Sequence, residues 1–286
     1  MLGGGGNLGD CEVGMLQAVL ERGIVPDLVV GTSVGAINGA AIAAEPTTDA
    51  VERLRNVWLT LGEERVFAGA FGGAGNLIRK GTHLHSNAAL RRMVERLLPV
   101  RTFQELPVLF QCVAASIERA AEHWFSEGPL VEAILASSAV PGLLPPVAID
   151  GEHYVDGGIV NSIPVERAVQ LGATELYIMQ VGRIERPLRA PRNLLQVATV
   201  SFEIARRHRF AREMAALPAG IVSHVLPTGQ DGPETVQVRY RSFSKAARRI
   251  AQAYEAARAY LDCVESTSID RSGGSQGSRE SRGSGQ

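Results

Sequence analysis

A serine and a distant aspartate carry the chemistry this sequence offers. Ser33 lies in Gly31-Thr32-Ser33-Val34-Gly35, a G-x-S-x-G run between the β-branched stretch Leu28-Val29-Val30 and the small, apolar stretch Ala36 to Ala44. A nucleophile on a sharp strand-to-helix turn is pushed out of the sheet towards substrate, and Gly31 and Gly35 let such a turn close without Cβ clashes. The helix N-terminus beneath Ser33 favours developing negative charge. The pattern alone is weak; its strand-turn-helix setting gives it weight.

A serine nucleophile needs a base. Six histidines are present, at positions 83, 85, 123, 153, 208 and 224, and none sits in a triad-like signature. His153 comes three residues before Asp156, so on an extended strand the two face opposite sides. Asp156 heads Asp156-Gly157-Gly158. In isolation this reads as a glycine turn. At the end of a strand it becomes a candidate base, because catalytic groups collect at the carboxyl ends of strands in α/β sheets.

Near the start, Gly4-Gly5-Gly6-Asn7-Leu8-Gly9 lets successive backbone N–H groups converge on one point. Such a nest binds anions. Aimed at a tetrahedral intermediate it is an oxyanion hole, worth on the order of 10²–10³ in rate per donor. The same residues fit the dinucleotide fingerprint G-x-G-x-x-G, which also needs an acidic residue ending the second strand. Here Asp27 precedes that strand, and the strand ends in Gly31-Thr32-Ser33, so the nucleotide reading is poor.

In this order the three features resemble the patatin-like phospholipase family. Supporting similarity covers Val13 to Leu16, Val29 to Gly39, Ser137 to Gly142 and Asn161 to Pro164, within residues 3 to 182. Leu8 departs from the pattern, since family members commonly carry Arg or Lys there. The resemblance implies a Ser33 nucleophile that forms an acyl-enzyme, with Asp156 as its general base. It implies an oxyanion hole at Gly4, Gly5 and Gly6, with the N–H groups of Gly5 and Gly6 as donors. Gly31, Gly35, Gly157 and Gly158 support the two motifs. It implies no metal and no cofactor, and a lipid acyl ester such as a phospholipid or lysophospholipid as substrate.

These residues need elements to hold them. Helices are expected over 11–22, 36–44, 49–61, 87–98, 130–138, 164–171, 192–217 and 244–264, and strands at 28–30, 108–115, 175–181 and 221–226. Trp124 and Phe125 suggest a strand beside 108–115. Val147 to Ile149 and Glu152 to Val155 flank Asp150-Gly151, a dipeptide suited to a type I′ hairpin turn. Strands alternating with helices predict a three-layer α/β/α fold with a mostly parallel central sheet. The loop wants a strand before it, yet only Met1 and Leu2 precede Gly3; the expectation is a start further upstream or a truncated chain. The glycine-rich stretch 68–81 reads as a loop that could serve as a lid. The catalytic domain is expected over 1–264, and the Ser/Gly/Arg-rich stretch 265–286 as a disordered tail, too polar to offset its ordering entropy.

The 286 residues are ample for one core, and a net charge of -1 gives no reason to expect nucleic acid as a partner. Three scattered cysteines argue against a disulfide framework or a zinc site and point to a reducing, cytoplasmic setting. With no run long enough to span a bilayer, a lipid substrate is met from the water side, by peripheral contact. Arginines at 192, 206, 207, 209 and 212 either face anionic lipid or form a solvated helix face, the second reading being favoured. No oligomeric state is specified. Rival readings are an α/β-hydrolase with a Ser-His-Asp triad, a silent lipid-binding or scaffold protein, and an acyltransferase using the same dyad.

Overall fold

The computed structural model describes residues 1–63, 83, 85–182, 184, 187–192, 194–229 and 245–273. The expected lid at 68–81 lies outside them. The strands are β1 (Leu28–Thr32), β2 (Leu109–Ser116), β3 (Ala121–Phe125), β4 (Val147–Ile149), β5 (Glu152–Asp156), β6 (Glu175–Ile178) and β7 (Val222–Val225). The helices are α1 (Asp10–Leu20), α2 (Val34–Ala44), α3 (Thr48–Glu63), α4 (Ala88–Leu97), α5 (Leu130–Ser137), α6 (Gly158–Asn161), α7 (Val165–Gln170), α8 (Leu194–Ala215) and α9 (Ala246–Gly273).

The sheet has a parallel spine. β1 pairs with β2 and β6 with β7, both parallel. One residue joins the two pairs: Leu2 bridges Gly31 on one side and Met179 on the other, again parallel. Its N–H donates to Val30 O at 2.9 Å, and its carbonyl accepts from Thr32 N at 3.1 Å. Towards the N-terminal ends of β1 and β6 a cavity of about 530 Å³ opens, lined by Met1, Leu28, Val30, Glu175 and Tyr177 among others. Ser33, beyond the opposite end of β1, does not line it. β3 and β5 run antiparallel to β2, and β4 pairs antiparallel with β5. The hairpin turn is as predicted, with Asp150 at φ 51° and Gly151 at φ 83°.

Strand alternation sends side chains into two apolar layers. Val29 and Phe110 pack with α1, α2, α3 and α9 on one face; Val30, Leu176 and Ile178 pack with Val165, Ala168 and Phe210 of α7 and α8 on the other. The three-layer α/β/α arrangement expected from the alternation is thus present. α2 is built of small residues because it lies close on the sheet: a Cβ added at Gly39 would come within 3.0 Å of Val29 Cγ1.

The end of the last helix differs from the expected one. α9 does not stop at 264 but runs to Gly273. Arg22 pairs with Asp262 and Glu265, and the hydroxyls of Ser266 and Thr267 donate to the carbonyls of Asp262 and Cys263. The helix thus continues into a stretch whose composition alone argued for disorder. Residues 274–286 lie outside the described part.

Candidate active site

The sharp turn forms where β1 meets α2. Ser33 has φ 55° and ψ −119°, a rare backbone conformation for a residue with a Cβ. The flanking glycines are sterically required: a Cβ at Gly31 would lie 2.4 Å from Gly35 O, and one at Gly35 would lie 2.4 Å from Leu2 O. The turn therefore holds Ser33 against both the sheet and the start of the chain.

Asp156 ends β5, opposite Ala114 of β2, as Thr32 stands opposite Val113. Ser33 Oγ donates to Asp156 Oδ2 at 2.6 Å, and both residues are buried. The other carboxylate oxygen accepts the N–H of Gly158 at 2.7 Å. Burial pushes the Asp156 carboxyl up to about 6; the Ser33 hydroxyl and the Gly158 N–H act in the opposite sense. Neither Ser33 nor Asp156 hydrogen-bonds a histidine among the described residues. His153 points away and pairs with Glu118 at 2.7 Å, as strand alternation required.

Sequence reasoning gave Ser137 only a supporting place, yet it ties both halves together. Its Oγ accepts the Ser33 N–H at 2.9 Å, and its carbonyl accepts the Gly157 N–H at 3.1 Å. Thr32 Oγ1 donates to Asn161 O at 2.8 Å, fixing the end of β1 to the α6 turn. Nothing in the spacing of residues 32, 137 and 161 signals these contacts.

The glycine loop comes down on the same place. A Cβ at Gly4 would lie 3.5 Å from Ser33 Cβ. The Gly4 N–H is spent on Ser162 O at 2.8 Å, which leaves it no part as a donor. The N–H groups of Gly5 and Gly6 donate to no described residue. The loop then makes a 3-10 turn over Gly6–Leu8 and enters α1. Asn38 of α2 closes its far end, donating to Gly9 O at 2.9 Å and to the buried Glu12 at 2.8 Å.

A strained serine, a carboxylate in contact with it and a glycine loop beside it are the three parts of the patatin pattern. Residues 1–169 match the profile of the family described as patatin-like phospholipase. This chain belongs to the patatin-like phospholipase family. A patatin-like phospholipase domain-containing protein of Caenorhabditis elegans is 32% identical over 194 residues, which is 65% of this chain and 14% of that protein. Lysophospholipase nte1 of Aspergillus terreus is 29% identical over 189 residues, 65% of this chain and 12% of the relative. The chain thus spans a small part of the relatives it matches. The solved structure of VipD from Legionella pneumophila aligns with 92% of this chain and 66% of its own, at 17% identity and a TM-score of 0.44.

The described residues contain no cluster of three or more His, Cys, Asp or Glu side chains placed to hold a metal ion. No helix among them is long and apolar enough to cross a membrane.

Proposed function

We propose that this patatin-family chain hydrolyses carboxylic esters of lipids, with phospholipid or lysophospholipid as substrate, through a Ser33–Asp156 dyad and an acyl-enzyme. The observation that carries the reading is the 2.6 Å hydrogen bond from Ser33 Oγ to a buried carboxylate. Ser33 Oγ attacks the ester carbonyl while its proton passes to Asp156 Oδ2. The tetrahedral oxyanion faces the N–H groups of Gly5 and Gly6. Collapse breaks the bond to the alcohol, which leaves with the proton from Asp156. Water then attacks the acyl-enzyme, giving one proton to Asp156, and Ser33 regains that proton as the fatty acid departs.

The strained turn at Ser33 and the Gly158 N–H on Asp156 support this assignment, because they fix both groups before substrate arrives. The name of the Aspergillus relative favours a lysophospholipid among the candidate substrates. Contact with lipid is peripheral, and a cytoplasmic setting fits Cys11, Cys112 and Cys263, which form no disulfide. The test compares the wild type with Ser33→Ala and Asp156→Asn on a medium-chain ester, on phospholipid vesicles and on lysophospholipid micelles. Turnover by the wild type, lost in both folded variants, is the expected result. A folded wild type that turns over none of the three overturns the reading in favour of a silent binding protein; acyl transfer to added alcohol in preference to water would make it an acyltransferase.

A further inference from the structure

Asp10 is fully buried in the first turn of α1, immediately after the glycine loop. A carboxylate there needs a compensating charge, because burial disfavours its ionised form. The charge arrives from the far end of the chain. Arg249 Nε donates to Asp10 Oδ1 at 2.9 Å and to Oδ2 at 2.8 Å, and Nη2 also donates to Oδ2. The same Nη2 lies 3.4 Å from the carbonyl oxygen of Asn7. Asn7 is the middle residue of the 3-10 turn and follows Gly6 directly. A planar guanidinium can serve a carboxylate and a carbonyl at once; an ammonium has no such fork.

The helix packing that delivers Arg249 is close. Gly14 lies one turn on from Asp10, and a Cβ added there would sit 2.2 Å from Ile250 O. The backbones of α1 and α9 are thus in contact beside the ion pair. Other bonds hold the two ends of the loop: Gly3 and Gly4 donate to the carbonyls of Met179 and Ser162, and Gly9 accepts from Asn38. The contact from Arg249 falls between those ends. The loop, Gly3 to Gly9, has no basic side chain of its own.

We propose that Arg249 is a positioning residue: α9 latches the oxyanion loop through Asp10 and Asn7 and so holds the N–H groups of Gly5 and Gly6 against Ser33. The role in catalysis rests on the proposed reading of Gly5 and Gly6 as donors to the oxyanion. α9 lies wholly outside residues 1–169, so the family match does not itself account for the latch.

The test uses the full chain carrying Asp10→Asn with Arg249→Met, which removes the latch without stranding a buried charge. Melting temperature, amide hydrogen exchange over residues 3–9, and kcat and KM on a medium-chain ester are measured together. The expected result is a melting temperature within about 4 °C of wild type and exchange in the loop faster by about tenfold or more. With these, kcat falls on the order of 10²-fold while KM changes less than about threefold. Arg249→Lys keeps the charge and loses the fork; its loop exchange and kcat fall between the two, and it carries the same test should the double variant not fold. Unchanged loop exchange in a folded variant overturns the latch, whatever the esterase result. Faster exchange with unchanged kcat overturns its role in catalysis. Faster exchange in a protein whose wild type turns over no ester supports the latch and overturns the hydrolase reading instead.

Discussion

Thr32 and Asp156 are seated against neighbouring residues of one strand, Thr32 against Val113 and Asp156 against Ala114. Cys112 and Val113 pair with both β1 and β3, while Ala114 to Ser116 pair with both β3 and β5. β1 and β5 therefore share one edge of β2 and approach each other head-on. Ser33, the residue after Thr32, meets the aspartate that ends β5, although 123 residues separate them in sequence. In its proposed role as base Asp156 needs no histidine, and its position is as rigid as the ladder that holds it.

Ser137 is expected to matter nearly as much as the pair it supports. Its hydroxyl accepts the buried Ser33 N–H, so Ser137→Ala leaves that donor without a partner. The cost is about 1–3 kcal/mol of stability. A small shift of the turn should lower kcat between about 10- and 100-fold. Urea denaturation and ester kinetics on the same preparation check both effects; full activity in the variant would show that the turn is held without it.

Gly35→Ala probes the junction of the turn with the start of the chain. The new Cβ would lie 2.4 Å from Leu2 O and 2.8 Å from Gly3 O, both backbone atoms that cannot swing aside. Leu2 is the bridge between β1 and β6, so the clash is felt across the sheet. A loss of roughly 1–3 kcal/mol or more is expected, seen as a lower urea midpoint with an unchanged slope. A midpoint equal to wild type would contradict the close approach.

Local pattern made much of this legible. The β1-Ser33-α2 turn, the Asp150-Gly151 hairpin and the small-residue helix α2 are each coded within a few residues, where turn chemistry and periodicity act. What escaped was long-range. The bond that takes up the Gly4 N–H comes from Ser162, far along the chain and beside the loop only in three dimensions. Ser137 and Arg249 work through contacts that no spacing rule reports. α9 continues past residue 265, where the sequence reading ended it on composition alone; Arg22, far off in the chain, pairs there with Asp262 and Glu265.

The arginines of α8 are expected to act in folding more than in lipid binding. Arg206 is buried and donates to both oxygens of Glu203, at 3.0 Å and 2.7 Å, and Arg207 donates to the same carboxylate at 2.8 Å. Arg209 reaches Glu213 at 2.6 Å. Arg206→Gln breaks a buried pair and should cost about 3 kcal/mol. Co-sedimentation with anionic vesicles should match wild type; a folded variant that no longer sediments would restore the lipid-facing reading of this residue.

The pH dependence of Asp156 differs from the reference expectation for a carboxylate. An unperturbed aspartate titrates near 3.9 and a histidine near 6.5, so an acid limb at neutral pH would ordinarily separate the two bases. Burial places Asp156 at about 6, and kcat/KM should fall as pH drops through about 6 even with an aspartate base. The discriminating measurement is stability. The folded carboxyl lies above its unfolded value of 3.8, so the unfolded chain releases this proton first as pH rises. Stability from this group is full below the unfolded value and is lost across the window from 3.8 to about 6. The loss amounts to about 2–3 kcal/mol. Asp156→Asn has no proton to release and should exceed wild type in stability by that order at pH values well above the window, with the gap closing below it. Denaturation curves of the two proteins on either side of the window measure the difference; equal stability above it would mean that the carboxyl is not held out of water, and the acid limb of kcat/KM should then lie near the ordinary carboxylate range.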